Sequence, residues 1–251
     1  MSRFFVQPEN IGEKTIVIDN RDDLHHMMKV LRLSEGDEID ISDSTEWEYK
    51  AKLLYLDFER AEAEITDKQK FTAEPVVQVT LFQGIPKQGK METIVQKCVE
   101  LGVHAIIPVF MDRTVVVDKG NFDKKVQRWQ KVSDEAVKQC RRGIIPQVFD
   151  PMRMPEVLEA FGVFDLVLFA YENEDGTTVK DLLRAAAESR QWAEGRNRIA
   201  VIVGPEGGFS EEESGRITEA GGRSVSLGKT TLRTETAGMA AIAMIMYEME
   251  L

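Results

Sequence analysis

Two glycine-rich runs in this sequence have the residue types and spacing to hold a small ligand. The first is GPEGGFS at 204–210, directly after an apolar strand-like run at 199–203. It therefore leaves the carboxyl edge of a sheet, where open α/β folds bind ligands. Three glycines and a proline give a stiff loop whose backbone can come close to a ligand; a bare strand-to-helix turn needs only one glycine. Ser210 and Glu213 have the spacing of a capping box that starts the next helix. The second run, LGKTTLRTETA at 227–237, also leaves a strand end, crosses a polar loop and opens a helix. Thr234 reads as the N-cap of that helix, and Glu235 in its first turn suits the helix dipole. Arg233 precedes a helix N-terminus that already favours anions, an odd place for a purely structural cation. It reads as a functional side chain, with a salt bridge to Glu206 or Glu235 as the plainer alternative.

Two other stretches imitate nucleotide sites. GIPKQGK at 84–90 has phosphate-loop spacing between a strand and a helix. Met91 follows it, however, where a Mg²⁺-binding hydroxyl is needed, and Pro86 removes an N–H from a loop that works by presenting them. GKT at 228–230 has Arg223 where the first glycine should stand. Lys87 and Lys90 read instead as a basic rim, or as solvated lysines. No G-x-G-x-x-G follows any strand-like run, so the dinucleotide crevice is unsupported.

The elements that must position these loops can be read from periodicity. Short β-rich runs at 3–7, 15–18, 37–42, 47–57 and 61–66, with one helix at 22–33, predict a small barrel. A polar stretch at 67–74 leads to Pro75 and marks a domain boundary, giving segments 1–72 and 73–251. Beyond it, apolar runs at 76–82, 105–110, 166–170, 199–203 and 224–227 alternate with helical segments. Continuous apolar strands between helices predict a parallel sheet covered on both faces. The last helix, 234–250, is apolar on nearly every side over 237–247, so it must be covered by the sheet and by a second subunit.

Composition excludes several classes. No apolar run approaches the ~18–20 residues of a membrane span, and the first residues lack the apolar core of a secretory signal. The 2 cysteines, Cys98 and Cys140, are too few for a disulfide framework or a zinc site and fall on apolar helix stripes. These features fit a protein of the reducing cytoplasm. A net charge of −11 argues against a nucleic-acid partner only until its distribution is considered. Residues 1–73 carry 10 basic and 17 acidic side chains, net −7, whereas residues 84–142 carry 12 and 7, net +5. A basic middle within an acidic chain permits RNA without demanding it.

At the two glycine-rich runs the sequence resembles the ribosomal RNA small subunit methyltransferase E family, within the SPOUT superfamily. KVLRL (29–33), KMETIVQKCVELGV (90–103) and RWQKVSDEAVKQCRRGIIP (128–146) resemble other blocks of that family. Lys229-Thr230-Thr231 departs from it, where a basic and an aliphatic residue are expected before Leu-Arg. The resemblance implies a SPOUT α/β fold with a trefoil knot, an exception to the rule against knots. It also implies a PUA-like β-barrel at the N-terminus that helps hold RNA. The implied enzyme is a homodimer that uses S-adenosylmethionine to methylate N3 of a uridine in 16S rRNA, without metal. Gly204, Pro205, Glu206, Gly207, Gly208, Leu227, Gly228, Leu232, Thr234, Glu235, Thr236 and Ala237 would wrap the cofactor. Phe169 and Tyr171, chosen on geometry alone, would line the pocket. Arg233 would stabilise the uracil anion. Arg3, Lys29, Arg32, Lys87, Lys90, Arg141 and Arg142 would contact RNA. His25, His26 and His104 lie outside the loops, so no general base is assigned.

Overall fold

The computed structural model describes residues 3–118, 120, 122–188 and 197–250. Two compact units divide the chain, one formed by residues 1–74 with 137–145 and the other by 75–136 with 146–251.

In the first unit, β1 (Arg3–Phe5), β2 (Thr15–Ile18), β3 (Glu38–Ser42), β4 (Trp47–Leu56) and β5 (Ala61–Lys70) form one sheet. Its order is β1-β3-β4-β5-β2, antiparallel except for β1 against β3. Alternation along the strands buries Phe4, Ile16, Ile18, Ile39, Ile41, Ala51, Leu53, Ala61 and Ala63 in one core. The helix expected at 22–33 is a short α-helix, α1 (Arg21–His25), that widens into π-helical turns over His26–Leu31. Arg32 then closes it in the left-handed region at φ 55°. Asn20, whose side chain accepts from Asp22 N and Asp23 N, fixes the start.

The segment 137–145 packs with this unit through polar contacts absent from any periodicity. Glu74 accepts from Arg142 Nη2 at 2.9 Å and from the N–H groups of Gly143 and Ile144 at 2.6 and 3.0 Å. Ser42 Oγ donates to Gly143 O at 2.5 Å.

The second unit is a wholly parallel sheet of order β12-β10-β11-β6-β7-β8, with β9 pairing β7. Its strands are β6 (Gln78–Gly84), β7 (Ala105–Phe110), β8 (Gln147–Val148), β9 (Met152–Arg153), β10 (Leu166–Ala170), β11 (Arg198–Val203) and β12 (Arg223–Val225). Helices α2 (Lys90–Glu100), α4 (Met154–Glu159), α5 (Val179–Glu188), α6 (Glu211–Glu219) and α7 (Thr234–Glu250) complete it, with α3 (Phe122–Cys140) up to Ala136. The near-continuous burial of β6, β7, β10 and β11 is what a parallel sheet with two covered faces requires. β8 and β9 have two residues each, too short to carry a periodicity.

α7 packs on α2, α5, β11 and β6 through Ala237, Gly238, Ala241, Ile242 and Ile245. A Cβ at Gly238 would lie 3.3 Å from Gln83 Oε1 and 3.4 Å from Leu81, so the small residue lets the helix approach the sheet. Met239 and Met246 are half-buried, while Met244 and Tyr247 are 40% and 69% exposed. Among the described residues no helix is long and apolar enough to cross a membrane.

Candidate functional site

β10, β11 and β12 are adjacent, so the loops that leave their carboxyl ends converge. Between them lies a cavity of about 670 Å³, lined by residues 170–172, 174–175, 203–206, 208–209, 225–234 and 237 among others. That volume falls within the ~300–1,000 Å³ of small-molecule sites.

The loop after β11 is locked from several sides. Gly208 turns at φ 66° and donates to Pro205 O at 2.9 Å. A Cβ on Gly84 would lie 2.5 Å from Pro205 N, so the end of β6 needs glycine to let this loop pass. The capping box read in the sequence is present: Ser210 Oγ accepts from Glu213 N at 3.0 Å, and Glu213 Oε2 accepts from Ser210 N at 3.1 Å. Glu213 Oε1 also accepts from Asp112 N at 2.8 Å, which ties the start of α6 to the loop after β7. Arg113 Nη1 donates to Gly207 O at 2.7 Å in the same region.

Thr234 is the first residue of α7 rather than its N-cap. Its hydroxyl donates to Gly204 O at 2.6 Å and accepts from buried Gln83 Nε2 at 2.9 Å. One side chain thus joins β6, the loop after β11 and the last helix, and Thr236 N and Ala237 N donate to Arg233 O instead.

Ion pairs join the same three segments. Lys90 Nζ lies 3.1 Å from Glu206 Oε1 and 3.2 Å from Glu235 Oε2. Lys87 N donates to Glu206 at 3.0 Å. Hydrogen bonds to Glu206 and then Glu235 raise the Lys90 pKa. Partial burial opposes ionisation of Glu206, but its own N–H, Lys90 and Lys87 N–H outweigh it and hold the carboxyl below its ordinary value. Glu235 is lowered first by its own backbone N–H and then by Lys90, with Arg233 contributing.

The residues singled out in the sequence fall into three groups. Tyr171, Gly204, Pro205, Glu206, Gly208, Leu227, Gly228, Leu232, Arg233, Thr234 and Ala237 line the cavity, and so does Lys90. Phe169, Gly207, Glu235 and Thr236 do not. Phe169 is 1% exposed, packed edge-on against Phe209 at 5.7 Å, so it supports the wall from behind. Gly207 faces Arg113, whose Cβ would lie 3.0 Å from a Cβ there. Among the basic residues, Lys29, Arg32, Lys87 and Arg141 are exposed. Arg142 is 5% exposed and paired with Glu74, and therefore serves the fold, contrary to its reading as an RNA contact. Arg3 is likewise held, by Glu48 at 2.5 Å and Arg141 O at 2.8 Å.

Sequence reasoning missed Gln83, Glu172, Glu174, Asp175 and Thr178. A glutamine ending an apolar strand was the available signal for Gln83. The acidic run 172–175 gave none, because its place beside the second glycine-rich loop depends on the pairing of β10 with β12. Glu174 accepts from Ser224 Oγ and from Gly176 N and Thr177 N, which lowers its pKa and holds this turn.

The cavity suits a ligand with both cationic and polar parts. Glu172, Glu174, Asp175 and Glu206 supply carboxylates, and the glycine-rich loops supply close backbone. Gly228 has φ 133°, and a Cβ there would meet nothing within 4 Å, so that stretch of wall is open to a ligand. Among the described residues no group of His, Cys, Asp and Glu could hold a metal ion. Cys98 is buried and its thiol pushed up to about 12, an inert core residue.

The chain is similar to known proteins along nearly its whole length. A family model described as an RNA methyltransferase domain matches residues 72–246, and an RNA methyltransferase PUA domain matches 18–66. The chain is 32% identical to ribosomal RNA small subunit methyltransferase E of Bacillus subtilis (strain 168), across 100% of this chain and 98% of that protein. The crystal structure of a ribosomal RNA small subunit methyltransferase E from Neisseria gonorrhoeae, bound to S-adenosyl methionine, superposes with a TM-score of 0.82. Its identity is 32%, over 98% of this chain and 97% of that one. A methyltransferase from Legionella pneumophila, in complex with the cofactor, gives a TM-score of 0.80 at 26% identity, over 98% and 96%.

Proposed function

The chain belongs to the ribosomal RNA small subunit methyltransferase E family, with a SPOUT methyltransferase domain and a PUA domain, and on that premise we propose that it methylates N3 of a uridine in 16S rRNA. It is an S-adenosylmethionine-dependent rRNA methyltransferase. The observation that carries the reading is the convergence of the 203–209 and 225–237 loops on one cavity with Arg233 on its wall.

When bound, S-adenosylmethionine supplies an activated methyl whose C–S bond breaks as the N3–C bond forms, leaving a neutral thioether. The N3 proton must leave to solvent, since that nitrogen is a poor nucleophile while protonated. Unpairing the target base costs a few kcal/mol. The backbone of Gly204, Pro205, Glu206, Gly208 and 227–228, stiffened by Pro205 and by the Thr234–Gly204 hydrogen bond, holds the cofactor in a fixed pose. Tyr171 and Phe209, edge-on at 6.5 Å, supply an apolar face. Arg233 carries a fixed positive charge to the charge that spreads over the uracil oxygens as the proton leaves. Glu206 and Glu235, held as carboxylates by their own backbone N–H groups and then by Lys90, are weak bases, and neither is assigned as the proton acceptor.

The enzyme acts as a homodimer in the cytoplasm. An apolar helix whose outer face leaves Met244 and Tyr247 exposed supports a second subunit there. Exposed Lys29, Arg32, Lys87 and Arg141 supply phosphate contacts that position rRNA without reading bases. The test is transfer of labelled methyl from S-adenosylmethionine to small subunits lacking the modification, followed by nucleoside mass spectrometry. A 3-methyluridine product is expected; a ribose-methylated product, or none, overturns the reading.

A further inference from the structure

Lys90 belongs to a closed ion cluster rather than to a surface rim. Its Nζ is 3.1 Å from Glu206 and 3.2 Å from Glu235, and the three side chains are only 30%, 27% and 21% exposed. The three residues come from three segments: the start of α2, the loop after β11 and the first turn of α7. Lys90 and Glu206 line the cavity, on which Arg233 also stands.

Charge determines what this cluster does. An anion forming on a uracil near Arg233 is favoured by positive charge and opposed by each uncompensated carboxylate, with little screening inside a cleft. The cavity already carries Glu172, Glu174 and Asp175 after β10, against Lys229 and Arg233 ahead of α7. Without Lys90, Glu206 and Glu235 would add two more negative charges, and Glu235 would compete for Arg233. On the same helix Glu92 is ion-paired with Arg128 and offers Lys90 no alternative role.

We propose that Lys90 is a positioning residue of methyl transfer, which neutralises Glu206 and Glu235 so that Arg233 remains available to the uracil anion. This rests on the N3-methyltransferase reading. Lys90 touches neither the methyl group nor the base. The proton of N3 still goes to solvent, and Lys90 makes its departure easier by removing negative charge from the wall.

The test compares Lys90→Met, Lys90→Arg and the triple variant Lys90→Met/Glu206→Gln/Glu235→Gln with the unaltered enzyme. Single-turnover rates at saturating cofactor and small subunits are followed against pH. Carbon-13 carboxyl titrations of Glu206 and Glu235 are recorded on cofactor-free protein. In Lys90→Met the rate at neutral pH should fall roughly tenfold or more. The deficit should shrink as pH rises, because the ascending limb moves to higher pH. The arginine variant should stay within a few-fold of the unaltered enzyme, and the triple variant should regain most of what methionine alone loses. Both carboxyl midpoints should rise when Lys90 is removed. A loss equal at every pH and not relieved in the triple variant would overturn the proposal, as would a higher KM for RNA at unchanged rate, the mark of a phosphate contact. Should Lys90→Met not fold, the arginine and triple variants with their carboxyl titrations decide. If the unaltered enzyme methylates another atom, the N3 reading fails on its own product while the titrations still report on the cluster.

Discussion

The cavity loops of the second unit and the basic residues of the first use polar groups in opposite ways. Around the cavity, hydrogen bonds and ion pairs hold the loops to one another, as Thr234 holds Gly204 and Lys90 holds Glu206 and Glu235, while backbone and Arg233 stay open to a ligand. In the first unit the best-held cations are internal struts. Arg142 closes on Glu74 and Arg3 on Glu48, and only side chains such as Lys29 and Arg32 face solvent. A small ligand needs a preorganised pocket, whereas a phosphate backbone needs a few reachable charges. A basic residue in the sequence is therefore no guide to RNA until its partner is known.

The largest effect that would break this contrast is at Arg233. Arg233→Ala should lower turnover on the order of 10²–10³-fold while cofactor affinity by calorimetry stays within a few-fold. If affinity collapses and the single-turnover rate at saturation does not, Arg233 belongs to cofactor binding. Next is Gly208, which lines the cavity at φ 66° with a Cβ position 3.1 Å from Glu172. Gly208→Val should weaken S-adenosylmethionine binding at least tenfold, because a β-branched residue resists that conformation. Gly207→Ala, facing Arg113 outside the cavity, should change affinity much less. Equal losses at both glycines would erase the distinction between wall and support.

Thr234→Val sharpens the account of how the loops are held. It removes the Thr234 hydroxyl from Gly204 O and leaves Gln83 Nε2 only Gly84 O, at 3.1 Å, and should cost about 1–3 kcal/mol of stability, read by denaturant unfolding. The ion cluster has its own pH signature. Glu206 and Glu235 are depressed in the folded state, so their contribution is complete above the ordinary carboxylate range and is lost as pH falls through their folded values. Lys90 is raised, so its contribution is present below the ordinary lysine range and is lost in strong alkali. Glu206→Gln should accordingly reduce the melting temperature at neutral pH and flatten its decline in acid. The smallest effect is expected at Arg32, where Arg32→Glu should weaken RNA binding and lower its salt slope by about one while leaving cofactor affinity unchanged.

Much of this arrangement is legible in the sequence. β10 and β11 announce themselves as apolar runs, whereas β12, Arg223-Ser224-Val225, does not, and Ser210 with Glu213 marks the start of α6. What stays hidden depends on distant partners. Thr234 has the residue type of an N-cap, yet Gly204 O and Gln83, at remote positions in the chain, draw its hydroxyl elsewhere. Gly207 and Gly208 look alike in sequence, and only the backbone separates the wall residue from the one against Arg113. The apolar stripe of α3 gives no sign that 137–145 packs with residues 1–74, because that packing rests on scattered polar contacts of Arg3, Asp23, Ser42 and Glu74.

By the proposed function, the cavity between the 203–209 and 225–237 loops performs one methyl transfer to 16S rRNA. Mass mapping of 16S nucleosides from cells lacking this protein, complemented with the unaltered chain or with Arg233→Ala, tests it directly. One 3-methyluridine should disappear in the deletion, return with the unaltered chain and stay largely absent with the variant. An unchanged set of 16S modifications in the deletion, or full restoration by Arg233→Ala, would contradict the account.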